Sequence, residues 1–289
     1  MLTRQRIVLA LIDREPGRAI SRLKLVKLCF LLAQAWKDAP PAAVYQFLPY
    51  KFGPFSFTLY REIDGLCRDG ELEAFSEKEL RRVPGTQTVP LEPAAHQMVR
   101  HVTARFSGLP MSAMLDAIYA EHPWFTLNSE RLEKRAAMLP QAEIAIYTAG
   151  YEGLQVDGLL DLFLRSGIRR VVDVRANPIS RRYGFHKSTL ARLCGLLDLD
   201  YVHLPELGIP SAWREQLETA SDYAHLFDRY EAAILPNATA ALDRLGALIA
   251  ERPTVLVCQE KDAAFCHRRR LAVRLSRQSK LPISELRAA

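Results

Sequence analysis

Two groups of side chains in the second half of the chain have the types and spacing for chemistry. Asp173 and Arg175 close the apolar run V171-V-D-V-R and stand two apart on an extended segment, so they face the same way. Asp173 suits a water-orienting base or charge stabiliser and Arg175 an anion holder; an internal salt bridge ordering the loop is the structural alternative. Asn177, Ser180, Arg181 and Lys187 follow in a Pro/Ser/Arg/Gly segment that cannot continue a strand. They could clamp phosphate or form a charged exposed loop.

The second group is Cys258, Glu260, Cys266, His267 and Arg268. A zinc site would take Cys258, Cys266 and His267, but an adjacent Cys-His without a C-x-x-C pair is a poor match to zinc spacing, so no metal is expected. No arginine stands where it would close a phosphatase-like loop around either cysteine. A cysteine nucleophile has no evident base. The better expectation sets the first turn of the last helix, with His267 and Arg268, against an anion. Glu260 is then a second catalytic acid beside Asp173, and Cys266 packs.

These residues need elements that bring them together. Apolar strands at 144–150, 170–175, 200–204 and 253–258 alternate with helices at 156–164, 187–197, 211–248 and from 265. This predicts a Rossmann-like α/β domain over 141–289, with a parallel sheet covered on both faces. Its strand ends would share one edge, gathering Tyr151, Asp173, Glu206 and Glu260 into a common pocket. T148-A-G-Y-E-G, D173-V-R-A-N-P-x-S-R-x-x-G-F, Y201-V-H-L-P-E-L-G and V257-C-Q-E-K-x-x-x-x-C-H-R, with the Leu190 helix between them, resemble the bacterial family called domain of unknown function 488. The resemblance spans 144–277. It implies a compact α/β domain with a nucleotide- or nucleic-acid-linked site. The chain departs from the pattern at 147–150, where Y-T-A-G replaces an Ile-Gly-His-Ser-like stretch.

Residues 1–140 read as a mainly helical module. Helices are expected at 3–12, after a Ser21 cap, at 57–70, around 94–102, at 110–120 and at 130–138. The second of these is apolar at Leu23, Val26, Phe30 and Ala33, with Lys24 and Lys27 set between them. Leu72–Phe75, the charged 77–82 segment and Val83–Val89 are expected to make a small hairpin or wing, and helices followed by a hairpin are compatible with a winged-helix-like fold. L25-V-K-L, Y45-Q-F-L-P-Y-K-F-G-P-F-S, the Leu59/Ile63/Leu66 helix and the Y119-to-S129 segment resemble a domain of bacterial antitoxin and phage-associated proteins. That resemblance implies recognition of protein or nucleic acid, with Lys51 and Arg61 facing the partner.

The net charge of +6 divides as +4 over residues 1–140 (19 basic, 15 acidic) and +2 over 141–289 (20 and 18). This permits a polyanionic partner. Five cysteines without regular spacing and no uninterrupted apolar run of membrane length point to a cytoplasmic protein away from membranes. No cofactor is expected, because no nucleotide-fold fingerprint appears. Paired acids and phosphate clamps favour a hydrolase acting on a nucleotide or nucleic acid. Asn177-Pro178 beside Asp173 suggests a base-excising DNA glycosylase as one version. A non-catalytic DNA-binding or nucleotide-sensing defence protein is the alternative.

Overall fold

The computed structural model describes every residue except 88, 89, 132, 134–136, 215, 216 and 289, and at residue 18 the backbone only. It divides into two compact units, Met1–Met138 and Leu139–Ala289.

The first unit carries α1 (Thr3–Asp13), β1 (Ala19–Ser21), α2 (Arg22–Ala35), β2 (Leu48–Tyr50), β3 (Gly53–Phe55) and α3 (Phe57–Arg68). It continues with β4 (Leu72–Ala74), β5 (Glu79–Arg82), α4 (Pro93–Phe106) and α5 (Met111–Glu121). The Ser21 and Ser56 hydroxyls cap α2 and α3, each accepting from the backbone N–H three residues on. α2 is buried from Leu25 through Leu32, and this includes Lys27, whose Nζ donates to the Pro54 carbonyl at 2.8 Å. The sequence sets Lys27 among the apolar positions of this helix, and the structure buries it with them.

Within the region expected as a hairpin, strand β5 falls on the charged segment. It pairs antiparallel with β4 and also with β1, in the order β1-β5-β4. A single inward residue, Leu80, anchors it, so there was too little alternation to show in the sequence. A second hairpin, β2–β3, turns at Gly53, whose φ of +86° suits glycine. Residues 132 and 134–136 of the helix expected over 130–138, and residues 88 and 89 of the 83–89 segment, lie outside the described residues.

The second unit begins with β6 (Ile146–Gly150), α6 (Val156–Arg165), β7 (Arg170–Asp173), α7 (Lys187–Gly195) and β8 (Asp200–His203). It closes with α8 (Ala220–Ala233), α9 (Thr239–Glu251), β9 (Thr254–Cys258), α10 (His267–Ser279) and β10 (Ile283–Leu286). All five strands are parallel, in the order β10-β6-β9-β7-β8, giving a Rossmann-like sheet. Parallel pairing sets every strand's carboxyl end at one edge. β10 was not expected: it is a half-exposed edge strand with Ile283 and Leu286 as its only aliphatic residues. Residues 211–219, expected as helix, hold only a 3-10 turn at Ser211–Arg214 among the described residues.

Among the described residues, no helix is long and apolar enough to cross a membrane.

Candidate functional site

Strand alternation divides the candidate residues between the two faces of the sheet. Asp173 is in register with Val257 and with His203, so these side chains share one face. Val172 is in register with Leu256; two residues on, Val174 and Cys258 join them on the opposite face, in the cluster that packs with α8, α9 and α10. The common pocket expected from sequence is thus two networks with a strand between them.

The first network is closed. Arg175 donates Nε to Asp173 Oδ1 at 2.8 Å and Nη2 to Oδ2 at 2.6 Å. The Arg175 backbone N–H and the Tyr201 hydroxyl add bonds of 3.1 and 2.7 Å to the same carboxylate. The remaining guanidinium nitrogen, Nη1, donates to the Tyr151 hydroxyl and to the Phe185 carbonyl, and Tyr151 stacks on Phe185 with ring centroids 4.2 Å apart. The Asp173 side chain is fully buried and that of Arg175 is 8% exposed. Burial lowers the tendency of Arg175 to hold its proton, but the bonds to Asp173 outweigh this and raise its pKa. Burial and then the Asp173 charge push the Tyr201 phenol far up. Four protein donors occupy the Asp173 carboxylate, and the geometry is that of an internal pair rather than of a base open to substrate.

The flanking loop is fixed to this pair. Gly184, at φ +90°, lies where a Cβ would meet Val156 at 2.3 Å, and Gly208 lies where one would meet the Ala176 nitrogen at 2.0 Å. Asn177, Arg181 and Lys187 are exposed and Ser180 is half-buried. The Ser180 hydroxyl accepts from the Arg182 N–H at 3.1 Å, so it shapes the turn. Glu206 is exposed and lines a separate cavity of about 280 Å³ with Asn237, Thr239 and Arg244.

The second network is built on the central strand β9 and the start of α10. Cys258, Cys266 and His267 are all buried, and their ligand-type atoms lie within 4.8 Å of one another. His267 Nε2 is 3.0 Å from the Val174 carbonyl, which can only accept, so in the neutral imidazole Nε2 bears the proton and Nδ1 a lone pair. Nδ1 stands 3.7 Å from Cys258 Sγ, 4.0 Å from Cys266 Sγ and 3.3 Å from Arg214 Nη2. Glu260 receives Arg214 Nη1 at 2.6 Å on one oxygen, and its other oxygen is 3.1 Å from Cys258 Sγ. The side chains of Glu260 and Arg214 are 21% and 31% exposed, so they form the wet side of the cluster. The hydrogen bond from Cys266, against the penalty of burial, draws the Cys258 thiol well below its usual range, and burial raises Cys266.

The loop after β9 is held by β6. Gly150 packs so closely that a Cβ would lie 1.8 Å from the Glu260 carbonyl oxygen. The Glu152 N–H donates to the Gln259 carbonyl, and the Glu152 carboxylate accepts from the Lys261 N–H at 3.0 Å. Arg268, expected to bind phosphate, is fully buried: it donates to the Glu260 and Lys261 carbonyls and pairs with Glu285 of β10 at 3.2 Å. It clamps the loop and faces no solvent.

Residues 155–275 match the family model described as Domain of unknown function DUF488. No curated protein and no solved structure matches the chain. The DUF488 match runs from the approach to α6 into α10, and so contains both networks and the residues that brace them apart from Gly150, Tyr151, Glu152 and Glu285. Arg214 was missed by sequence reading because it sits in an irregular turn with no periodic signal. Tyr201 could have been found, since it is in register with Val171 on the face of Asp173.

In the first unit, Lys51 and Arg61 are both exposed, and Lys51 pairs with Glu130 at 3.1 Å.

Proposed function

We propose that the second unit is a hydrolase acting on a nucleotide or nucleic acid, with Glu260 rather than Asp173 as its acid-base group. The observation that carries this reading is the Glu260–Arg214 pair at the carboxyl edge of the central strand. A partly exposed carboxylate there shares a guanidinium at 2.6 Å and stands beside the Cys258–His267 pair. Ligands of open parallel sheets bind at this edge. Glu260 is suited to take a proton from an attacking water, and Arg214 to hold an anionic group of the substrate.

A basic groove supports a phosphate-bearing substrate. Arg269, Arg270, Arg274 and Arg277 of α10 line a cavity of about 440 Å³ that begins at Ala264, next to the catalytic loop. The base-excising variant needs a carboxylate open to a cationic sugar; with Asp173 enclosed, that role too would fall to Glu260. The antitoxin-like resemblance of residues 5–130 supports recognition of a nucleic acid or protein partner by the first unit, through Lys51 and Arg61.

Incubating the full chain with nucleotides and with modified and unmodified single- and double-stranded DNA, read by mass spectrometry, tests the proposal. A released base or cleaved ester is expected, lost in Glu260→Gln with binding retained. Binding without turnover in the parent chain would instead identify a sensor.

A further inference from the structure

We infer that Cys258, Cys266 and His267 form a site for one soft divalent cation, zinc being the natural occupant. Chain spacing argued against this, but the three ligands meet in space from two rigid elements. A tetrahedral zinc with bonds of about 2.3 Å to sulfur and 2.0 to 2.1 Å to nitrogen puts sulfur and nitrogen roughly 3.6 Å apart. The His267 Nδ1 contacts to the two sulfurs, 3.7 and 4.0 Å, are close to that edge before any ion has drawn them in.

The imidazole is also set for ligation. A metal-bound histidine gives its other N–H to a fixed acceptor, which chooses the tautomer and the ring angle. Here the Val174 carbonyl, one residue past the end of the neighbouring strand β7, does this for Nε2 and leaves the Nδ1 lone pair aimed at the thiols. Two thiols and an imidazole select zinc over magnesium or calcium, which want oxygen.

The chief opposing contact is Arg214 Nη2, 3.3 Å from Nδ1. This guanidinium is partly exposed and is held through its other nitrogen by Glu260, so it can withdraw from Nδ1 while keeping that bond. On that side Glu260 borders the ligands, with one oxygen 3.1 Å from Cys258 Sγ. A zinc held by three protein ligands would supply an acidified water, and Glu260, which is not one of the three, would be the carboxylate placed to act with it. The site goes beyond the hydrolase reading: binding is measured with no substrate present, so a chain that binds zinc and turns nothing over keeps the site and loses only the reaction.

The test uses the full chain, stripped with chelator and kept reduced, then titrated with zinc and with cobalt(II). One equivalent per chain is expected by native mass spectrometry, with a thiolate-to-cobalt charge-transfer band. The Cys258→Ser/Cys266→Ser double variant should lose both, and Arg214→Gln should bind at least as tightly as the parent. Should the double variant fail to fold, alkylation of the parent chain decides. Zinc should shield Cys258 and Cys266 in a denaturing pulse and leave Cys29, Cys67 and Cys194 open. No stoichiometric ion, an equal ion in the folded double variant, or no selective shielding would each overturn the site.

Discussion

The two faces of the C-terminal sheet carry similar residue types to opposite ends. On one face, Asp173 and Arg175 consume each other: every oxygen and nitrogen of the pair is bonded to protein, and both are buried. On the other, Glu260 and Arg214 are bonded to each other but remain partly exposed, and they border sulfur and nitrogen atoms with capacity to spare. A strand-end acid and base are thus no guide to catalysis until their remaining valence is counted. The saturated pair orders the loop, and the unsaturated one is left to meet a ligand.

The sharpest way to break this contrast is Asp173→Asn. Removing one partner of a buried ion pair strands the other, so a loss of about 3 to 5 kcal/mol in urea unfolding is expected. A smaller loss would mean that the pair is more open than its geometry. Tyr201→Phe deletes one bond to the same carboxylate and should cost about 1.5 to 3 kcal/mol, read by the same titration. Glu260→Gln is the counterpart on the other face. Its ion pair is partly solvated, so the change in stability should stay within about 1 kcal/mol.

Lys27 in the first unit extends the comparison to a buried amine that donates to the Pro54 carbonyl. Burial lowers its pKa from 10.5 to about 7. The unfolded amine therefore binds a proton that the folded one has released in the window between those values. Stability from this group rises with pH across the window and is least below it. Relative to Lys27→Met, the parent chain should gain at most about 1.4 kcal/mol per pH unit above 7, measured by denaturation at a series of pH values.

Much of the fold was legible because its signals are local. Strands β6 to β9 are short apolar runs with polar ends, and Ser21, Ser56 and Gly70 punctuate helices in the ordinary way. β5 and β10 were hidden, since one carries a single inward leucine and the other is a half-exposed edge. The site was legible in its members and not in its grouping. Asp173, Glu260 and His267 could be named from type and spacing. Which of them share a face depends on the register of β7 against β9, a pairing 84 residues apart in sequence at Asp173 and Val257. Arg268 was misassigned because its partners are carbonyls and a late edge strand, which leave no trace in composition.

One feature of β7 reaches further than its own bonds. Asp173 and Arg175 point to one side, while the peptide between them supplies the Val174 carbonyl that steers His267 on the other. A substitution in 171–175 disturbs one side at a time, but an inserted or deleted residue there exchanges the sides and unmakes both networks together. The length of this stretch is therefore held by both networks at once, and each side chain in it by one.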